Sequence, residues 1–163
     1  MNGVSVTRTA DGALAVGNLP PLFVELLLEL PFLLAADPPE AVRRRLFPDP
    51  GDDEAVNAEW RRAQHPELFA LLADAQAIVR DDLASLAPSK EMPWWTLEVP
   101  AAHVSAWISA LNAGRLALGA LHEVTQRDME AELPEELDDR GMALLKIHAY
   151  AELQAALIEG PAP

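Results

Sequence analysis

Residues 104–122, VSAWISALNAGRLALGALH, carry the clearest helical pattern in the chain. At about 100° per residue, one face of this helix presents an apolar stripe with a few polar side chains in it. The members of that stripe are Val104, Ile108, Leu111, Arg115, Leu118 and His122, with Trp107 at its edge. The pattern predicts a helix from about Ala101 to Val124 that packs against other helices and holds Arg115 in the middle of its apolar face.

Arg115 needs an explanation because a guanidinium stays charged inside a protein. It must reach solvent or find a carboxylate and backbone carbonyls. One interpretation is an internal ion pair that fixes helix register, with a carboxylate from a helix expected to pack nearby: Glu59, Asp81 or Asp82. The alternative is a site in which Arg115 and Asn112 bind an anionic ligand or an acidic chain end through bidentate hydrogen bonds.

The stretch from Pro20 to Ala35 also has a helical pattern, but it is apolar almost all round. Such a helix lies at the centre of a protein or against another subunit. We expect a contact between two copies of the chain, formed by Leu22, Phe23, Leu26, Leu27, Leu30 and Phe32. The alternative is an interior helix. Pro31 should kink or end this helix.

Aspartate and proline mark the ends of the next two predicted helices. Residues 37–40, DPPE, indicate the start of a short helix that stops near Phe47. Asp53, or Asp52 before it, can cap a longer helical pattern that Pro66 is expected to restart and that reaches Leu86.

A β-hairpin is predicted at the N-terminus. Val4, Val6 and Arg8 alternate with polar neighbours, residues 14–16 alternate again, and the Asp11-Gly12 pair between them is typical of a two-residue turn. Because an isolated hairpin is marginal in water, we expect a third strand at 94–99.

These elements predict a single, mainly α domain over residues 1–163, with five to six helices around one core and a small antiparallel β-hairpin or three-stranded sheet. The hairpin takes residues 1–17, and the helical core, which includes the strand, takes residues 19–124. A C-terminal helix is predicted at 134–158 and a frayed tail at 159–163.

The composition excludes several kinds of active site. The chain has no cysteine, so thiolate nucleophiles and Cys-ligated metals are ruled out. The histidines lack metal-binding spacing, the glycines form no phosphate-cradling loop, and no serine stands in a nucleophile elbow. We therefore expect no metal and no cofactor.

Charge and hydropathy exclude some classes of binding partner. The formal net charge is −14, which disfavours nucleic acid because phosphate backbones would be repelled. Carboxylates nearby in sequence can neutralise the basic run Arg43–Arg45. Charges and a proline interrupt the longest apolar stretch, 19–36, and residues 1–9 show no signal pattern. We expect a cytoplasmic protein with no membrane span and no nucleic-acid partner.

Several short motifs together resemble an uncharacterised bacterial family of domains of unknown function. They are LFPD at 46–49, DEA at 53–55, EWRR at 59–62 and, most specifically, AWIxALNxxRLxLG at 106–119. The members of that family look as if they are often encoded beside the adaptor of the Clp protease. The resemblance therefore implies a link with protein turnover or its regulation.

The expected function is a non-enzymatic interaction or regulatory module that forms a homodimer and binds another protein. The resemblance implies that this partner belongs to the Clp protease system. The alternative is a small-molecule or peptide-binding domain, or a hydrolase, that uses Arg115, Asn112 and His122 around a pocket.

Overall fold

A computed structural model describes residues 3–34, 37–90, 93–131 and 137–160, which form a mainly helical fold with a four-stranded antiparallel sheet. The helices are α1 (Pro21–Glu29), α2 (Glu40–Leu46), α3 (Glu54–Asp82), α4 (Val104–Leu121), α5 (Gln126–Glu130) and α6 (Asp139–Glu159). The strands are β1 (Ser5–Arg8), β2 (Leu14–Leu19), β3 (Ala87–Pro88) and β4 (Trp95–Val99). The predicted fold class is confirmed, with one strand more than expected.

Helix α4 lies at the centre and packs against α6, α3 and α2. Its buried face is broader than the predicted stripe, because it includes Trp107 and a run of small residues as well as Leu111 and Leu118. The small residues are Ala110, Ala113, Gly114 and Ala117. At Gly114 a Cβ would come within 2.9 Å of Leu30 Cδ1, so glycine permits the close approach of the chain segment after α1.

By length and composition alone, residues 101–121 could cross a membrane. The core helix of a globular protein has the same properties. Three helices cover α4, and both Trp107 and Leu111 are fully buried. The apolar character of α4 is therefore explained by the core that it forms.

The sheet has the order β1-β2-β4-β3, with all neighbours antiparallel. The predicted third strand is confirmed as β4. The predicted two-residue turn is wrong: Arg8 pairs with Leu14, so residues 9–13 form the connection. Thr9 N–H donates to Ala13 O at 2.9 Å and Gly12 N–H donates to Thr9 O at 3.0 Å, which closes a longer turn around Gly12, whose φ is 91°.

A register shift between Val16 and Leu19 interrupts the pairing of β2 with β4. Asn18 adopts a positive φ of 59° there. The irregularity lets two residues three positions apart face the same side of the sheet, and both Val16 and Leu19 are fully buried. The bulge thus turns the end of β2 into the core before α1 begins.

The apolar segment 21–32 is largely an interior helix. Phe23, Leu26, Leu27 and Leu30 are buried inside the chain itself, whereas Leu22 and Phe32 are exposed. Of the residues predicted to form a subunit contact, only these two are available to a partner in this structure. Pro31 ends α1 as expected, and a 3-10 turn spans Leu30–Phe32.

Helix α3 runs without a break through Pro66, contrary to the predicted restart. Proline lacks the N–H that would bond the carbonyl four residues earlier. Much of the first half of α3 is exposed, so water can satisfy a free carbonyl there.

The C-terminal helix α6 begins where Asp138 accepts a hydrogen bond of 2.7 Å from Gly141 N–H and ends at Gly160, whose φ is 72°. Its predicted start at 134 lies outside the described residues. The predicted tail is 159–163, but Glu159 still belongs to α6, and residues 161–163 lie outside the described residues. Tyr150 and Leu153 bury its inner face against α4.

Candidate functional site

Arg115 projects from α4 towards α6. Its Nη1 donates a hydrogen bond of 2.6 Å to Oε1 of Gln154. Its Nε is buried and has no hydrogen-bond partner in the structure. The guanidinium therefore has one neutral partner and a donor left over.

The predicted carboxylate partners of Arg115 are engaged elsewhere. Asp82 accepts hydrogen bonds from Trp107 Nε1 at 2.9 Å and lies 2.9 Å from His103 Nδ1. Glu59 pairs with Arg62 and Asp81 pairs with Arg80. Across the described ranges no carboxylate forms an ion pair with Arg115, so the proposed internal pair with these three residues is wrong. All three carboxylates lie on α3, where the partners just named hold them.

Arg115 and Asn112 line one cavity of about 330 Å³, as the ligand-site interpretation requires. Arg45, from the end of α2, adds a second guanidinium, and Thr125 and Gln126 form the wall at the start of α5. The remaining lining is mainly apolar: Leu116, Gly119, Val124, Met129 and Ile147. Elements far apart in sequence thus place two cations and two amides around one small space.

The end of α4 brings α5 to the cavity. His122 N–H donates to Leu118 O at 3.1 Å, and Val124 N–H donates to Gly119 O at 2.9 Å. Glu123 between them has a φ of 50°. This is the Schellman ending of a helix, with glutamate in the left-handed position that glycine usually takes. The turn sends Thr125 and Gln126 back across the same side of α4 as Arg115.

A capping box holds α5 in place. Thr125 and Asp128 satisfy each other's backbone N–H groups, and Arg140 Nη2 donates to Asp128 Oδ2 at 2.6 Å. The hydrogen bond from the Thr125 side chain, the Thr125 N–H and Arg140 together lower the pKa of Asp128 to about 2. Asp128 is therefore charged at neutral pH, and the Thr125 hydroxyl serves the cap.

His122 does not line the cavity with Arg115 and Asn112. It is the C-cap residue of α4, where the helix pattern that placed it on the stripe no longer applies. Sequence reasoning missed Arg45 because the basic run 43–45 looked neutralised. Arg43 pairs with Asp37 and Arg44 pairs with Glu40, 2.9 Å away. Arg45 pairs with no carboxylate among the described residues.

A second cavity, of about 400 Å³, has a different electrostatic character. It lies between α2 and the first half of α3. Arg61, on its wall, is held by Asp49 at 2.6 Å and by Glu54 at 3.1 Å, and its other arginines are also paired. The aromatic rings of Phe47, His65 and Phe69 contact one another beside it. Its cations are already neutralised within the chain.

The described part of the chain contains no group of three or more His, Asp or Glu side chains that could hold a metal ion. The polar side chains that line the 330 Å³ cavity are two guanidinium groups, two amides and one hydroxyl, and the other lining residues are apolar. Guanidinium and amide donors bind carboxylate or phosphate oxygens. The arrangement can therefore bind an anion.

The chain belongs to the family described as Domain of unknown function (DUF2017), which matches residues 3–160. No curated protein and no solved structure matches the chain.

Proposed function

We propose that this DUF2017 domain is a non-enzymatic binding module, and that the cavity formed by α2, α4 and α5 takes an anionic group of its ligand. The observation that carries the proposal is the environment of Arg115. It has one neutral hydrogen-bond partner, a buried Nε without a partner, and no ion pair among the described residues.

The charge of the chain strengthens this argument. It has 26 acidic residues and 12 Lys and Arg residues, so carboxylates are abundant, yet Arg115 and Arg45 pair with none of those in the described ranges. Leaving a buried donor of a charged group unpaired costs at least ~1–3 kcal/mol. Both guanidinium groups line the cavity, so an external anion bound there would supply the negative charge that neither of them finds among the described residues.

The simplest test uses nuclear magnetic resonance and two small anions, inorganic phosphate and succinate. We expect each anion to shift the Nε–Hε signal of Arg115 and the backbone amides from Asn112 to Gln126. Arg115→Gln should weaken binding about tenfold or more, because a hydrogen bond to a charged group contributes ~1.5–3 kcal/mol. Arg80→Gln, on the exposed surface of α3, is the matched control and should bind like the unchanged protein.

The proposal fails if neither anion perturbs these signals, or if Arg115→Gln and Arg80→Gln bind equally well while both remain folded. In that case the bond from Arg115 to Gln154 is a structural link between α4 and α6. Circular dichroism of each variant shows whether the helices are intact.

We further propose that the ligand belongs to another protein, in the cytoplasm and in the context of protein turnover. The resemblance to a bacterial family encoded beside the Clp adaptor supports this context. Co-purification with the Clp adaptor of the source organism, from cells that carry the unchanged protein or Arg115→Gln, tests it. Loss of the adaptor in the variant supports both the context and the cavity as the binding site. Equal recovery supports the context and contradicts the cavity as the binding site, and absent recovery contradicts the context.

We also propose that the chain forms a homodimer through the exposed side chains of Leu22 and Phe32, at 48% and 73% exposure. Multi-angle light scattering over a range of concentrations tests this assembly. A mass of one chain at every concentration would overturn it. A dimer that Phe32→Ser dissociates would support it.

A further inference from the structure

The 330 Å³ cavity has two chemically distinct parts. Arg115, Asn112 and Arg45 supply hydrogen-bond donors, and Leu116, Val124 and Met129 supply an apolar wall. A free inorganic anion would satisfy the donors and leave the apolar wall in contact with water. The ligand that covers both parts carries an acid group directly attached to an apolar group.

We propose that this ligand is the C-terminal end of a polypeptide whose last residue is apolar. The inference rests on the proposed function and names its ligand class. The terminal carboxylate accepts hydrogen bonds from Arg115 and Arg45, which match the two oxygens of a carboxylate. The last side chain lies against Met129 and Val124, where burial of apolar surface stabilises the complex.

The rim of the cavity fits a chain that continues into solvent. Asn112 and Gln126 are both exposed lining residues. Gln126 Nε2 donates one of its two hydrogens to Glu130 Oε1, 2.9 Å away, so each side-chain amide can still donate to a carbonyl and accept from an N–H. These are the groups that the peptide bond before a C-terminal residue presents. The volume is at the low end for ligand pockets, which run from about 300 to 1,000 Å³, so only the end of the chain is enclosed.

The net charge of −14 determines which residues are favoured before the last residue of the ligand. Acidic side chains outside the cavity would meet a surface of the same sign, whereas neutral or basic ones would not. The preferred ligand thus combines a single terminal carboxylate, an apolar last residue and non-acidic residues before it.

Fluorescence anisotropy with labelled five-residue peptides tests this ligand class. The reference peptide is Gly-Ser-Lys-Ala-Leu with a free C-terminus. One comparison peptide has the same sequence with an amidated C-terminus, and the other ends in Asp in place of Leu. We expect either change to weaken binding about tenfold or more, since about 1.4 kcal/mol corresponds to tenfold in affinity.

Two variants separate the acid contact from the apolar contact. Arg115→Gln should weaken binding of the reference peptide and of inorganic phosphate alike. Met129→Gln should weaken binding of the peptide and leave phosphate binding unchanged. Val124→Thr replaces Met129→Gln if that variant does not fold, and Arg80→Gln is the control for both.

Each outcome decides between the two proposals. If phosphate binds through Arg115 but the free and amidated peptides bind equally, or not at all, the proposed function stands and the peptide inference is overturned. If the free C-terminus is required but Leu and Asp endings bind equally, the apolar contact is overturned. If neither phosphate nor peptide binds, both proposals fail.

Discussion

The hydroxyl of Tyr150 donates a hydrogen bond of 2.7 Å to the backbone carbonyl of Leu26. This bond links α6 to the end of α1, and both residues are buried. The carbonyl is free because α1 tightens there: Leu30 N–H donates to Leu27 O instead of to Leu26 O. Pro31 follows, and proline cannot continue the helix ladder. Tyr150 therefore satisfies a buried carbonyl that the helix leaves without a donor.

We expect Tyr150→Phe to lower the free energy of unfolding by ~1–3 kcal/mol, because it leaves the Leu26 carbonyl buried and unpaired while the ring still fills the core. Urea unfolding followed by circular dichroism measures the change. An unchanged midpoint would mean that water reaches the carbonyl.

The phenol of Tyr150 should resist ionisation. Burial, with a smaller contribution from the nearby Glu29 carboxylate, raises its pKa above the ordinary value of 10.0. A phenol whose pKa is higher in the folded state stabilises the fold below the unfolded pKa, and this stability is lost as pH rises towards the folded pKa. Tyr150 is the single tyrosine, so ultraviolet absorbance reports it alone. Half-ionisation near 10 in the folded protein would contradict the burial argument.

Asp82 is expected to matter to stability far more than its neighbour Asp81. Its carboxylate accepts the indole N–H of the fully buried Trp107 and contacts His103. Asp82→Ala removes that acceptor and should lower the free energy of unfolding by ~1–3 kcal/mol. Asp81→Ala loses only a surface pair with Arg80 and should change it by about 0–1 kcal/mol. Equal effects in thermal unfolding would show that the indole contact is unimportant.

Glycine should stabilise the protein at position 123. Glu123 has the left-handed conformation that ends α4, which costs a residue with a Cβ about 1–2 kcal/mol, and glycine loses part of this gain through chain entropy. We expect Glu123→Gly to raise the free energy of unfolding by ~0.5–1 kcal/mol. Glu123→Ala keeps the Cβ and is the control, with no comparable gain. Destabilisation by glycine would show that the glutamate side chain has its own role.

Low pH should destabilise α5, which forms one wall of the candidate cavity. Asp128, whose carboxylate completes the cap of α5, has its pKa lowered from 3.8 to about 2. Its contribution is present above the ordinary carboxyl pKa and is lost as pH falls from about 4 through 2. A carboxyl titration by nuclear magnetic resonance should give a midpoint near 2 for Asp128. Arg140→Ala should raise that midpoint, and a midpoint near 3.8 in both proteins would contradict the cap.

Periodicity and turn residues predicted most of the architecture. The alternation at both ends of the hairpin and at β4 survives in the sheet, because strands with one buried face must alternate. Helix α4 is also as predicted, but its buried surface is not. Several elements contact α4, so small residues such as Ala113 and Gly114 are buried where a simple apolar stripe would leave them exposed.

The departures from prediction have physical causes that one sequence does not display. Pro66 normally marks a helix boundary, yet an exposed helix tolerates the lost hydrogen bond. Glu123 turns the chain although glycine is the usual residue for that conformation. Asn112 and Arg115 lie on the same helix, so their proximity could be predicted from the sequence. Thr125 and Arg45 reach the cavity only because of that turn and of the position of the end of α2, which the sequence does not show.

The long α3 has a consequence for dynamics. Its buried residues are Asn57, near the start, and Ala75 and Val79 in its last third. Between them the helix is held by contacts such as that of Phe69 with Phe47, with ring centres 4.9 Å apart. Amide hydrogens in this stretch should exchange with solvent through local opening, far faster than those of α4. Phe47 follows α2 directly, so the segment that opens first includes the neighbourhood of Arg45, one of the two cations of the cavity.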